Sequence, residues 1–481
     1  MAVASGLPNA GDWATRAGEN RDPAVIGNWM NRQRNDSTEL ASAVLESLDW
    51  LNLGVILTDA SGQLLLANRT AEQLLASRDG LEVMPGGTIG TVNRQCSRLL
   101  RAAFQRAARE SVVQGAFGST ALMVPRQSGK RPMTLLIRPV VGRSVPPSPT
   151  KSVLTFMLDP ESPISASEAT LRRMYGFTSA EARLAKLLIS GSSFEDCCLD
   201  LDIRPSTARM HLGNMYAKTG VQRQGQLIAV LLKSVGMVRM SNSDATNQCN
   251  KGREISGKES RVKCCAPDVL SGGLEALDSL YIGVAAINGL REVLFANDTA
   301  YQIMAAGDGL ELTAQGVMST SKRNLNPLLG SSARTQPALG LEALSPTSDS
   351  VVALPRSGGR RPLTLFITTS SDTKQSTSLR NPKVLVFMLD PEFPLSPVES
   401  GLRELYRFTS CEARLAHLLM EGHALEDCCE QLGIRPSTAR MHLTSMFGKV
   451  GVQRQGSLIC LLLKSVCMVR MGHTEKTMQR R

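Results

Sequence analysis

The decapeptide IRPSTARMHL occupies Ile203–Leu212 and returns letter for letter at Ile434–Leu443, an offset of 231 positions. Around it, the 65 residues from Gly176 to Met240 align without a gap to Arg407–Met471 at the same offset. Upstream the likeness is fainter but continuous. SVLTFMLDPESP matches KVLVFMLDPEFP at 231, LMVPRQSGKRPMTLLI matches VALPRSGGRRPLTLFI at 230, and LGVILTDASGQLLLAN echoes IGVAAINGLREVLFAN at 229. Such a chain reads as a tandem repeat of one two-part unit, so each part of the fold must be built twice. The small insertions that separate the copies fall in the first part of the unit. The joining stretch, SNSDATNQCNKGREISGKESRVKCCAPDVLSGG, is polar, rich in Gly and Ser and without apolar periodicity, which is linker chemistry.

The 481 residues suffice for about three or four domains, and 42% apolar content is that of a globular chain. The longest apolar runs, LIAVLL and LICLLL, fall far short of the roughly 18–20 residues that span a bilayer. The N-terminus has no basic region followed by an apolar core, so no secretion signal and no membrane partner are expected, and the expected location is the cytoplasm. The formal charge is +11, and its distribution matters more than its size. Leu171–Met240 carries ten Lys/Arg against five Asp/Glu, and Leu402–Arg481 carries twelve against seven, so each repeated segment is +5. The eleven cysteines include the adjacent pairs Cys197–Cys198, Cys264–Cys265 and Cys428–Cys429, none with CxxC or Cys/His ligand spacing. No metal site is expected; buried, reduced thiols are the default for such cysteines, with redox sensing the minor alternative.

The second part of each unit reads as four short helices. Thr178 with Glu181 three residues on forms a capping box; Ala182, Leu184, Ala185, Leu187 and Leu188 give an apolar face, and Gly191 closes the helix. Ser193 caps a short second helix with Phe194, Cys197, Cys198 and Leu201 on one side. The turn DIRP places Pro205 at the start of a third, where a missing N–H costs nothing. There Ala208, His211, Leu212 and Met215 share one face, and Ser206, Arg209, Met210, Gly213 and Asn214 lie on or near the opposite one; Gly220 ends the helix. A fourth, QGQLIAVLLKSV, is apolar over most of its circumference. A short helix, a tight turn and a helix with a small polar and basic outer face make a helix-turn-helix pattern. A helical bundle with a merely solvated basic face would produce the same pattern once; its repetition weighs against that.

These residues resemble the LuxR-type helix-turn-helix domain of bacterial transcription regulators. The matching positions are Phe177, Thr178, Glu181, Gly191, Ile203, Thr207, Arg209, His211, Lys218, Gly220 and Val221, over about 65 residues in each copy. Arg204-Pro205 and the cysteine pairs depart from the family pattern. The resemblance implies a helix in the major groove of double-stranded DNA. Arg209 and Arg440 are candidates for a guanine edge or a phosphate, and Met210 and Met441 for a thymine methyl. Ser206, Thr207, Lys218 and Arg223, with Ser437, Thr438, Lys449 and Arg454, suit phosphate contacts that set register. Arg204, Arg435 and the outer-face pairs Gly213-Asn214 and Thr444-Ser445 complete the candidate DNA-binding set.

The first part of each unit alternates strand signals with helices. GVILTDA and QLLLAN flank a Ser61-Gly62 turn, RTAEQLL follows as a helix, and Leu99, Leu100, Ala103, Phe104 and Ala107 make one face of a later, longer helix. TALMVP, MTLLIRPV and SVLTFML follow as strands. The order resembles the PAS fold, with Asn68 and Asn297 entering the first helix of each copy. That resemblance implies dimerisation or an unidentified small ligand in the first sensor domain; no other cofactor is expected. All five histidines lie in or after the helix-turn-helix parts, so a His-ligated haem is not expected in the sensors, and Cys96 does not match a flavin-adduct motif. In the second copy the longer helix is replaced by NLNPLLGSSARTQPALG, so that sensor is expected to be degenerate.

The expected architecture is multidomain α+β: two PAS-like α/β sensor domains alternating with two all-α, four-helix LuxR-type domains. Its expected boundaries are a disordered 1–38, sensor 39–165, helix-turn-helix 166–240, linker 241–268, sensor 269–397, helix-turn-helix 398–471 and tail 472–481. The expected function is sequence-specific DNA-binding transcription regulation, modulated by a sensor; a sensing or interaction module with vestigial DNA-binding parts is the alternative. With no nucleophile–base set, paired carboxylates or phosphate loop in view, no enzyme is expected. RNA polymerase is a further candidate partner. The fourth helices, QLIAVLLKSV and SLICLLLKSV, are expected to pair, either within the chain as a pseudo-dimer or between chains as a homodimer.

Overall fold

The computed structural model describes residues 37–110, 120–140, 152–162, 167–235, 267–320, 350–369, 384–393, 399–466 and 469. Most of the expected N-terminal disordered segment and linker, the tail, the proline-rich stretch of the second copy and the Cys264–Cys265 pair lie outside the described residues. The described chain is a mixed α/β protein of helices and antiparallel sheets. Contacts divide it into two units, one built on Ile282–Met388 and the other on Val44–Tyr281 with Leu395–Arg481.

The larger unit takes in helix α1 (Ser37–Asp49) from Val44 on, strands β1 (Gly54–Thr58) and β2 (Leu64–Ala67), and helix α2 (Arg69–Ala76). A short hairpin, β3 (Glu82–Val83) and β4 (Ile89–Gly90), leads into α3 (Arg94–Glu110), then β5 (Thr120–Val124), β6 (Met133–Pro139) and β7 (Val153–Leu158). The five main strands form an antiparallel sheet in the order β2-β1-β7-β6-β5, leaving β5 at an edge. Every residue of β1 and β7 is buried, which is why GVILT and VLTFML read as near-continuous apolar runs, each with one buried Thr, rather than alternating ones. Ile56, Ile137 and Met157 pack in one cluster with Ala71, Leu100 and Phe104 from the helices.

Helices α4 (Glu168–Tyr175), α5 (Ser179–Ser190), α6 (Phe194–Asp200), α7 (Pro205–Thr219) and α8 (Gln224–Val235) follow, and α9 (Pro267–Asp278) comes after the linker. The structure thus adds α4 ahead of the four helices expected from sequence. Helix α9 also lies where no helix is expected, because adjacent glycines lower helix propensity. Those glycines allow close approach: a Cβ on Gly272 would stand 2.7 Å from Leu57 Cδ1, and one on Gly273 2.9 Å from Val44 Cγ1. Here tertiary packing overrides local preference.

In the smaller unit, β8 (Gly283–Ile287), β9 (Val293–Ala296), α10 (Asp298–Ala306), β10 (Leu310–Leu312), β11 (Met318–Thr320), β12 (Ser350–Leu354), β13 (Leu363–Thr369) and β14 (Val384–Leu389) build a sheet ordered β12-β13-β14-β8-β9, with β10-β11 as a separate hairpin. Its core gathers Ala285, Ile287, Ala300, Ile303, Leu365 and Met388. The chain closes with α11 (Glu399–Tyr406), α12 (Ser410–Glu421), α13 (Leu425–Leu432), α14 (Pro436–Val450) and α15 (Gln455–Val466), which belong to the larger unit.

The asparagine entering the first helix has a definite task. Asn68 Oδ1 accepts from Val55 N at 2.8 Å and Ala71 N at 3.0 Å, while its Nδ2 donates to Leu48 O at 2.8 Å and Leu53 O at 3.0 Å. One buried side chain therefore caps α2 and joins α1, β1 and α2. Asn297 repeats the pattern, accepting from Val284 N and Ala300 N and donating to Ile282 O. Removing such a group loses a cap and strands buried backbone donors and acceptors. Asn68→Ala is expected to destabilise the larger unit by roughly 2–4 kcal/mol, read as a lowered thermal midpoint.

Candidate nucleic-acid interface

Each helical part anchors one helix from beneath and leaves its outer side bare. Thr178 N donates to Glu181 Oε2 at 2.8 Å and Glu181 N to Thr178 Oγ1 at 3.3 Å, closing the capping box of α5, and Gly191 ends that helix at φ 96°. Ser193 and Asp196 cap α6 reciprocally. In the second copy Ala424 has no hydroxyl, so only the return bond remains, from Ala424 N to Asp427 Oδ2 at 3.2 Å. The turn into α7 runs through Asp202 at φ 50°, where the second copy has Gly433 at φ 64°. Asp tolerates this left-handed conformation better than most side chains. Pro205 and Pro436 then start α7 and α14.

Along α7, Ala208, Leu212, Met215 and Thr219 are buried; along α14, Ala439, Leu443 and Met446 are. The opposite side is open to solvent. Arg204, Ser206, Arg209, Met210, Gly213 and Asn214 are exposed, as are Arg435, Ser437, Arg440, Met441, Thr444 and Ser445, with Thr207 and Thr438 half-buried. Met210 and Met441 expose 56% and 61% of their surface, which leaves an apolar side chain beside an arginine in both copies. The Arg209 guanidinium lies 5.7 Å from the centre of the Phe194 ring, a cation–π contact that steadies it from behind. Leu425 replaces that ring in the second copy.

The lysines meet internal partners. Lys218 Nζ lies 2.6 Å from Glu181 Oε2, and Lys449 Nζ 2.6 Å from Glu412 Oε2. Both carboxylates are almost fully buried, at 2% and 3% exposure. Burial disfavours the charge on Glu412, but Lys449, the Ser445 hydroxyl and the Thr409 N–H outweigh it and hold the carboxyl down at about 2. Glu181 is lowered in the same way, burial opposing and Lys218 and Thr178 prevailing. Each lysine thus fastens the end of the exposed helix to the start of the helix beneath it. The expected phosphate role of Lys218 and Lys449 follows from the helix-turn-helix resemblance; their pairing across 37 positions is a tertiary fact that spacing does not reveal.

Arg223 and Arg454 also have partners, and these lie in the opposite copy. Arg223 Nη1 pairs with Glu426 at 2.8 Å, and Arg454 Nη1 with Glu195 at 2.5 Å. The two bridges are one contact made twice with roles exchanged, the signature of packing about a two-fold axis. Helices α8 and α15 form the centre of that packing. A Cβ on Gly225 would lie 3.3 Å from Ile459 Cδ1, and one on Gly456 3.4 Å from Ile228 Cδ1. Ser457 Oγ donates to Gly191 O at 3.0 Å, and the buried Cys460 Sγ to Leu188 O at 3.6 Å. Burial pushes the thiols of Cys197, Cys428 and Cys460 up to about 12, leaving them as small apolar groups rather than reactive thiolates.

The first sheet also touches the second copy's helices. Glu404 Oε1 on α11 accepts from Ala121 N on edge strand β5 at 3.2 Å. Arg131 Nη2 donates at 3.3 Å to the carbonyl of Gly451, the residue that ends α14, and Lys464 Nζ donates to Ser162 O at 3.5 Å. Sequence reasoning missed all three, because they join residues 283, 320 and 302 positions apart. Among the described residues, no group of three His, Cys, Asp or Glu could hold a metal ion, and no helix is long and apolar enough to cross a membrane.

No family model matches the sequence, and no curated protein does. Solved structures that align with the chain include a phage VqmA–DPO complex, at 14% identity over 38% of this chain and 84% of that one, with a TM-score of 0.19. A Vibrio cholerae VqmA dimer without target DNA, described among LuxR-type receptors, aligns at 17% identity over 37% and 80%, TM-score 0.17. The Vibrio cholerae VqmA–ligand–DNA complex aligns at 17% over 38% and 82%, TM-score 0.19. Overlaps this shallow carry no argument; the reading of function rests on the chain's own side chains.

The buried carboxylate gives a pH test. Because Glu412 is held below its ordinary value of 4.5, its stabilising share is complete above that pH and fades as pH falls toward about 2. Wild type is expected to exceed Glu412→Gln in stability by roughly 3 kcal/mol near neutrality, a gap that closes between pH 4.5 and 2 in denaturant midpoints.

Proposed function

We propose that the chain is a sequence-specific, DNA-binding transcription regulator of the LuxR type. In this reading α6–α7 and α13–α14 are helix-turn-helix units whose second helices enter the major groove. The observation that carries it is the twice-presented face Arg209-Met210 and Arg440-Met441. An arginine able to meet a guanine edge and an apolar side chain able to meet a thymine methyl stand together on a helix anchored from beneath. Ser206, Thr207, Arg204 and their counterparts Ser437, Thr438 and Arg435 lie at the start of each helix, where phosphate contacts would set register.

The reciprocal packing of α8 and α15 supports a single-chain pseudo-dimer that offers both reading helices to one two-part site. The sheets are then PAS-like sensor domains. The Arg131–Gly451 and Glu404–Ala121 contacts support a route by which the first sensor biases the second reader, since an arginine at a helix C-terminus also favours its dipole.

Selection from random duplexes followed by mobility shift with salt titration tests the reading. Expected are a preferred sequence and an affinity that falls steeply with salt; binding that competitor DNA of any sequence removes equally would end it. Arg209→Ala and Arg440→Ala should each cost about 1–3 kcal/mol on the selected duplex and relax the preference in one half-site only. Gly225→Leu with Gly456→Leu, which crowds the α8–α15 contact, should weaken binding to the two-part duplex well beyond its effect on an isolated half-site.

A further inference from the structure

Among their exposed residues the two helices differ at Ala217 and Gly448, by one methyl, and at one adjacent pair of positions, where the structure shows that the difference is chemical as well as nominal. In α14, Ser445 Oγ donates to the buried Glu412 Oε1 at 2.7 Å, and Thr444 Oγ1 donates back to Arg440 O at 3.0 Å. Both hydroxyl protons are engaged within the domain, so neither group has a donor left for an outside partner, and Thr444 presents its methyl beside an oxygen that can only accept. In α7 the same two positions hold Gly213 and Asn214. A Cβ at Gly213 would meet nothing within 4 Å, so the helix surface is lower there by a whole side chain. Asn214 is exposed, and its side-chain amide makes no hydrogen bond among the described residues. Glu181, the counterpart of the Glu412 that Ser445 bonds, is held by Lys218 and Thr178 instead.

A free amide beside a gap can pair twice with adenine, accepting from N6 and donating to N7, whereas a hydroxyl whose proton is engaged can accept but cannot donate to N7. Building on the DNA-binding reading, we infer that the chain recognises a non-palindromic duplex, in which the half-site under α7 carries an adenine read by Asn214 and the half-site under α14 does not require one. The pseudo-two-fold packing of the framework and the asymmetry of the reading faces are compatible, because neither Gly213 nor Asn214 takes part in the packing of α8 on α15. A single chain with two readers can hold unlike faces in a fixed pairing, which a homodimer of one reader cannot.

The test is selection from random duplexes by the full-length chain, run beside the double variant Gly213→Thr, Asn214→Ser. The open space at Gly213 accepts the threonine. Wild type is expected to select two unlike half-sites, and the double variant two alike, both matching the half-site of α14. Asn214→Ala should lose about tenfold in affinity on duplexes carrying the adenine and little on those lacking it. Two alike half-sites selected by wild type would overturn the inference and leave the DNA-binding reading standing. So would a uniform loss across all duplexes on Asn214→Ala, which marks a phosphate contact. Absence of any preferred sequence would overturn both.

Discussion

The arrangement depends on two helices that cannot stand alone in water. Leu227, Ile228, Val230 and Leu231 of α8 and Leu458, Ile459, Leu461 and Leu462 of α15 are buried although they run around most of each helix. A helix apolar on all sides needs cover on all sides. Its own domain supplies one part, and the other copy supplies the rest. Each such side chain contributes about 1.5–3 kcal/mol when fully buried, so the pairing is worth far more than the exposed ion pairs at its rim. The reciprocal arginine–glutamate bridges fix register and orientation around that apolar centre, which is the service rim charges can perform.

Much of the helical architecture was legible because its signals are local. Capping boxes at Thr178 and Thr409, prolines at the first helical position and glycines at the ends mark boundaries within four residues of the atoms they bond. The bare face of α7 follows from its apolar spacing alone. What stayed hidden was non-local. The eight residues of α4 are too few for a periodic pattern, and they are tied to α8 by a Tyr175–Ser234 hydroxyl contact 59 positions away. Helix α9 is disguised by Gly272-Gly273, which suit a close approach to Leu57 and look like linker until that neighbour is known. The lysines looked like surface cations because nothing in the spacing of Lys218 points to Glu181.

The gapless alignment of Gly176–Met240 with Arg407–Met471 supplies its own comparison, since each position there has a counterpart in the other segment. Residues that hold the framework are identical in both copies: the prolines of the turn, the buried glutamate and its lysine, the tyrosine and serine that join the first and last helices. Differences gather where the framework is indifferent. Asp202 and Gly433 both adopt the left-handed turn, and Gly176 at φ 65° is matched by Arg407 at φ 53°. An arginine there costs backbone strain that a glycine avoids. In the structure its carbonyl accepts from Lys449 at 3.1 Å, adding a bond to the network under α14.

The exchange of Arg173 for Glu404 is of another kind, because it reverses both charge and hydrogen-bonding role. The amide of Ala121 on edge strand β5 can be satisfied from outside only by an acceptor, and edge groups left open invite pairing with other chains. A carboxylate accepts; a guanidinium has no acceptor at all. Placed at position 404, the glutamate lets α11 cover that edge, whereas an arginine in its place would set five donors against a donor. Nothing about the repeat's symmetry requires this. A single substitution thus makes the contact between the first sheet and a helical part specific to the second copy, and two similar helical parts acquire different neighbours.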